Sequence, residues 1–200
     1  MANKQINDYT IKGSPEVDDH LLIQEVGGTT LRVALGSLHK AKVGFYNYDN
    51  TLVAQTITAD GSWQKLNNNK LGPLNITTYR PSSMDEAGIW DAITNQFDFS
   101  QLSLGDEVQM RIDLDVTPGS NNQDIDVRLL FDIGGTEISL MVDHMIQKGT
   151  SPVLNHISYV RMFMGSAGVL SNPGEIQVRV DSGTDITVNV HGWYTSLIRR

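Results

Sequence analysis

The 200-residue chain has no cysteine. Disulfide staples, thiolate metal sites and a cysteine nucleophile are excluded together. No apolar run approaches the ~20 residues of a membrane-spanning helix. Met1 to Thr10 is polar where a secretory signal would carry an apolar core. Positive charge is scarce: 15 Lys and Arg stand against 23 Asp and Glu, a formal net charge of -8. Such a surface repels phosphate backbones and anionic lipid, so neither nucleic acid nor a membrane is an expected partner. Reaction signatures are missing too. Gly165-Ser166-Ala167-Gly168 lacks the spacing and the strand-turn-helix setting of a serine elbow. Neither a P-loop nor a dinucleotide fingerprint occurs. The five histidines, His20, His39, His144, His156 and His191, are scattered without metal-ligand spacing. No metal, no cofactor and no enzymatic activity is expected.

What the chain does have is alternation. Val108, Met110, Ile112, Leu114 and Val116 share one face, and Gln109, Arg111, Asp113 and Asp115 share the other. That period of two marks a strand with one wet and one buried face. The pattern resumes at Ile125, Val127, Leu129, Phe131 and Ile133. Gly134-Gly135 then reads as a two-residue hairpin turn into Ile138, Leu140 and Val142. These three strands are expected to form one antiparallel sheet, which needs a second layer over its apolar face.

The rest of the chain adds strands and turns. Val43 to Tyr48 is aromatic-rich. Ile76 to Tyr79 is stopped by Pro81, and Ile89-Trp90 reads as an apolar plug in a loop. Ile176, Val178 and Val180, then Ile186, Val188 and Val190, alternate around Ser182-Gly183. With no convincing amphipathic helix, the expected fold is all-β: an antiparallel jelly-roll sandwich over residues 41–200. Residues 1–40 form a small N-terminal hairpin module. Its apolar residues are Leu21, Leu22 and Ile23, then Leu31, Val33 and Leu35 after Gly27-Gly28. One hairpin has too little core to stand alone. It is expected to pack on a larger body, either as an anchoring arm or as an edge hairpin of the main sheet.

His156 to Met164 is apolar on both faces, with Ile157, Tyr159 and Phe163 on one and Val160, Met162 and Met164 on the other. A sandwich strand meets the core with one face only. The second face is expected to meet another subunit. Tyr159, Val160, Met162, Phe163, Met164, Trp193 and Tyr194 are therefore the candidate interface residues, since aromatics and Met favour such contacts. The carboxylates Asp113, Asp115, Asp126 and Asp132 read as solvated charge opposite Arg111 and Arg128, because a strand face is a poor calcium cradle. Trp63 and Trp90 have the chemistry of sugar-stacking platforms, but a packing role is favoured for both.

Two segments resemble a known group. "SPEVDDHLLIQEVGGTTLRVALGSL" resembles the short N-terminal module by which tailed-bacteriophage fibres and other virion appendages attach to the particle. "IWDAITNQFDFSQLSLGDEVQMRIDLDV", with "DVRLLFDIGG" and "ITVNVHGWYTSL", resembles the C-terminal jelly roll of phage virion proteins, namely capsid decoration (cement) proteins, head fibres and tail-fibre knobs. The resemblance implies a homotrimer located in the virion. Its partner would be the major capsid protein or another virion protein, and a host surface glycan is the alternative ligand.

Overall fold

The alternating stretches become strands in the computed structural model, which describes residues 20–24, 30–34, 42–147 and 154–200. The chain divides into two compact units, Met1–Ala41 and Lys42–Arg200. In the first, β1 (His20–Gln24) pairs antiparallel with β2 (Thr30–Ala34), setting Leu21 opposite Val33 and Ile23 opposite Leu31. Leu35 and the Gly27-Gly28 turn lie outside the described residues.

The second unit contains β3 (Val43–Asp49), β4 (Gln55–Ile57), β5 (Gln64–Lys65), β6 (Trp90–Asp91), β7 (Gln96–Phe97), β8 (Glu107–Thr117), β9 (Gln123–Phe131), β10 (Ile138–Gln147), β11 (Leu154–Phe163), β12 (Glu175–Val180) and β13 (Ile186–Ile198). The pairing is nested. β3 pairs with β13, β5 with β12, β8 with β11 and β9 with β10, all antiparallel. A long hairpin paired in this way and rolled over itself gives two sheets, β11-β8-β13-β3 and β10-β9-β12-β5. That strand order is a jelly roll, two Greek keys closed face to face.

One expectation is corrected here. β8 and β9 lie in different sheets, so they face each other across the core rather than pairing side by side. Period two fixes which side chains turn inward, and both strands do turn Val, Ile and Leu inward. It is silent on which layer holds the strand. The turn between β9 and β10 also differs. It spans Asp132 to Glu137, with Phe131 opposite Ile138. The Asp132 carboxylate organises it, accepting from Asn172 Nδ2 at 2.5 Å and from the Thr136 amide at 3.2 Å. The Gly165-Ser166-Ala167-Gly168 stretch, which reads as a turn in the sequence, leads into a short helix, α1 (Ala167–Ser171), capped by the Ser166 hydroxyl, which accepts from the Val169 amide. Five residues are too few for a helical period to show.

Trp90, Trp193, Tyr46, Tyr48, Phe97 and Phe99 are the largest side chains in the core, each 2% exposed or less. The edge where β10 meets β11 is tied across the two sheets. His156 Nε2 lies 2.8 Å from Asp143 Oδ2 and 2.6 Å from Ser158 Oγ.

Candidate functional site

Two local features shape the outer face of the β11-β8-β13-β3 sheet. The first is a bulge in β13, where the pairing with β8 slips between Val190 and Gly192. Before it, Ile186, Val188 and Val190 point inward; after it, Trp193, Thr195 and Leu197 do. The bulge thus sends Trp193 into the core and Tyr194 outward. Gly192 allows it, because a Cβ there would lie 2.8 Å from the Tyr48 carbonyl oxygen. The second is Gly44. A Cβ there would come within 2.5 Å of the Tyr79 and Pro81 backbone. Glycine lets residues 76–79 run alongside β3, with the Phe45 amide donating to Tyr79 O at 3.0 Å and Asn47 bridging Ile76. Tyr79 then stacks on Phe45 at 5.3 Å.

The face these features build has a polar centre and two apolar flanks. Its centre is a row in which Tyr159, Arg111, Tyr194 and Asn47 lie opposite one another across four strands. The Arg111 guanidinium forks onto Asp113 at 2.9 and 2.8 Å and lies 4.3 Å over the Tyr194 ring. That hydrogen-bonded carboxylate raises the guanidinium's affinity for its proton. Burial, together with Asp49 and Asp113, holds the Tyr194 phenol above its ordinary value. A shallow depression of about 690 Å³ covers this centre. One flank, on β11, exposes Ile157, Tyr159 at 75% and Phe163 at 73%. The other, along β3, exposes Val43, Phe45 and Tyr79. A monomer seldom leaves large apolar side chains grouped in water without a use for them.

The candidate interface residues separate accordingly. Tyr159, Phe163 and Tyr194 reach the outer face. Val160 and Met162 face inward and pack against the core. Met164 and Trp193 are buried within the single chain, at 1% and 0% exposure, and leave the interface set. The reason is the bulge for Trp193. Met164 follows the end of β11, where its amide donates to Asp106 O. Sequence reading missed Phe45, Val43 and Tyr79. The available signal was Val43 and Phe45 alternating with inward-facing Tyr46 and Tyr48.

The opposite face, on β10-β9-β12-β5, carries Asp126, Arg128, Gln177 and Arg179 beside the exposed Met141 and Ile146 of β10. Asp126 therefore lies on the other side of the sandwich from Asp113 and Asp115, and the expected carboxylate group is dispersed. Asp126 accepts from Arg179 Nη2 at 2.5 Å and contacts His144 Nδ1 at 2.6 Å. Burial raises its pKa, but the hydrogen bonds from His144 and Arg179 outweigh that and leave it below the ordinary value. The hydrogen bond to Asp126 in turn raises His144. His191 Nε2 lies 2.8 Å from Asp115 Oδ2 on the first sheet.

A pH dependence follows. His144 binds its proton more tightly folded than unfolded, so its contribution is complete below about pH 6.5 and fades as pH rises through the folded value. Asp126 contributes above about pH 4 and loses its contribution as pH falls through its lowered value. His144→Asn should therefore lower the denaturation midpoint at pH 5.5 and leave it nearly unchanged at pH 9. An equal loss at both would show that the pair is not ionic.

The strand order defines the class of protein as an antiparallel jelly roll. No family model and no curated protein matches the chain. Among solved structures it is similar to an Eiger TNF from S. frugiperda, with TM-score 0.45, 10% identity and coverage of 81% of this chain and 94% of that one. It is also similar to VP2 of the infectious bursal disease virus subviral particle, with TM-score 0.44, 8% identity and 94% of this chain covered. There it spans 41% of the other chain, about two-fifths of its length. A third is the xylan-binding module CBM15, with TM-score 0.36, 6% identity and coverage of 92% and 99%.

Proposed function

We propose that the chain is a structural protein of a virus particle whose jelly roll assembles with copies of itself and whose N-terminal hairpin attaches it to the particle. The observation that carries the self-assembly is the pair of unlike apolar flanks on one sheet. A two-fold dimer needs one patch that is complementary to itself. A closed ring needs two different patches, each meeting the other on the next copy. Ile157, Tyr159 and Phe163 against Val43, Phe45 and Tyr79 supply such a pair. Three copies is the number that the resemblance to phage virion jelly rolls implies. The N-terminal resemblance supports attachment to the major capsid protein or another virion protein, as a decoration (cement) protein or a short fibre. Three linked arms turn later contacts into intramolecular ones, so modest single contacts hold.

Removing residues 1–41 tests the arm. The expected result is a soluble, still-associated jelly roll that no longer binds particles. Particle binding by the shortened protein would defeat the anchoring role.

A second reading is favoured by the centre of the face. Tyr159 and Tyr194 flank Arg111, and Gln109 and Ser196 line the same depression. Aromatic faces beside planar hydrogen-bonding groups are what a sugar ring needs. A host surface glycan would then bind where the flanks leave the centre open. Binding of the full chain on a glycan array, lost in Tyr194→Ala, supports it.

A further inference from the structure

On the opposite sheet, two guanidinium groups share one indole. Arg128 lies 4.1 Å and Arg179 lies 5.0 Å from the Trp63 ring centre. Their surroundings differ. Arg179 is neutralised by Asp126 at 2.5 Å and Asp181 at 3.2 Å. Arg128 makes no ion pair with any described residue. Its Nε donates to Gln177 Oε1 at 2.8 Å, and Nη1 reaches Ser139 Oγ only at 3.5 Å. Nη2 has no acceptor among the described residues. Gln177 cannot turn away, because its own Nε2 is held by Glu175 Oε2 at 2.8 Å. Glu175 in turn is held by Lys65 at 3.3 Å and Gln96 at 2.8 Å.

Arg128 is thus a fixed fork: stacked on an aromatic face, steered through Nε and short of a counter-charge. The lack matters because Arg179 sits beside it on the same indole. Burial chiefly, and the Arg179 charge with it, pull the Arg128 pKa below its ordinary value, while Glu137 and Glu175 act in the opposite direction. A guanidinium does not shed its proton at ordinary pH, so a bound anion would offset that cost. A planar carboxylate meets a guanidinium edge with two parallel hydrogen bonds, which a spherical anion cannot make.

We propose that Arg128, braced by Trp63 and Gln177, is a binding site for a small-molecule carboxylate. Two sources share that chemistry, an acidic sugar and a simple organic acid. The site lies on the sheet opposite the self-association face and does not depend on the proposed function.

Trp63 is the reporter. The other two tryptophans, Trp90 and Trp193, are buried at 2% and 0% exposure, so carboxylate-dependent fluorescence comes from Trp63. The full chain is titrated with sodium acetate and with sodium glucuronate at constant ionic strength, with sodium chloride and glucose as controls. The expected result is a saturable change with a carboxylate and none with chloride or glucose. Glucuronate binding at least tenfold tighter than acetate assigns the acidic sugar. Equal affinities assign the simple acid. Arg128→Gln should weaken binding at least tenfold, and Arg128→Lys, which keeps charge but loses the fork, at least about fivefold. A Trp63→Phe variant should lose the signal, while its Arg Nε–H resonances still shift with ligand. No saturable response from the wild type, or an undiminished one in Arg128→Gln, overturns the site.

Discussion

Trp90→Ala should lower the unfolding free energy by about 3–5 kcal/mol and the melting temperature by on the order of 10 °C. Trp90 is 2% exposed although it sits in the long connection between β5 and β8, where loop residues are normally wet. Its ring stands edge-on to Phe97 at 4.7 Å and to Trp193 at 5.8 Å. Its Nε1 donates to Asn68 O at 2.8 Å, and Asn68 Nδ2 donates to Tyr48 O at 2.6 Å. Truncation would open a cavity and leave the Asn68 carbonyl unpaired. Trp90→Phe keeps the apolar contacts and loses mainly the hydrogen bond, at about 1–2 kcal/mol. Chemical denaturation of both variants checks this. A loss under about 1 kcal/mol for the alanine variant would mean that Trp90 is not a core plug.

The second large effect concerns association. Tyr159→Glu with Phe163→Glu should yield a folded monomer. Both side chains are about three-quarters exposed in the single chain, so the change leaves the core untouched and the melting of the isolated subunit nearly unaltered. Buried aromatic anchors at interfaces contribute about 2 kcal/mol or more each. Losing two should therefore weaken association by about a thousandfold. Sedimentation velocity at micromolar concentration reads the outcome. A double variant that sediments with its parent would exclude the β11 flank from the interface. One that unfolds would show that these residues serve the fold itself.

The parts of the fold that rest on alternation are legible in the sequence. β8, β9, β12 and most of β13 turn inward the residues that period two assigns to the core. Layer assignment is not legible, because the same pattern describes a strand in either sheet. β8 and β9 were expected as neighbours and are opposed instead. Parity across a bulge is not legible either. Continuing the alternation of Ile186, Val188 and Val190 would turn Tyr194 inward and Trp193 outward, and one extra residue near Gly192 reverses both. The candidate face was half visible. The two-sided apolar character of His156 to Met164 pointed to it. Its second flank depends on Gly44 letting Tyr79 close onto Phe45, a contact between segments 34 residues apart that no local period encodes. Arg128 was expected opposite a carboxylate. On its sheet Asp126 goes to Arg179 and His144, Glu175 to Lys65 and Asp143 to His156 instead, pairings that no local period encodes.

The most direct test is the mass of the full chain in solution by light scattering at micromolar concentration. A closed ring of three copies that covers both flanks predicts three times the 22.1 kDa chain mass. It also predicts that amides along β11 and β3 exchange slowly with solvent. A mass of one chain, with those amides exchanging freely, would contradict it.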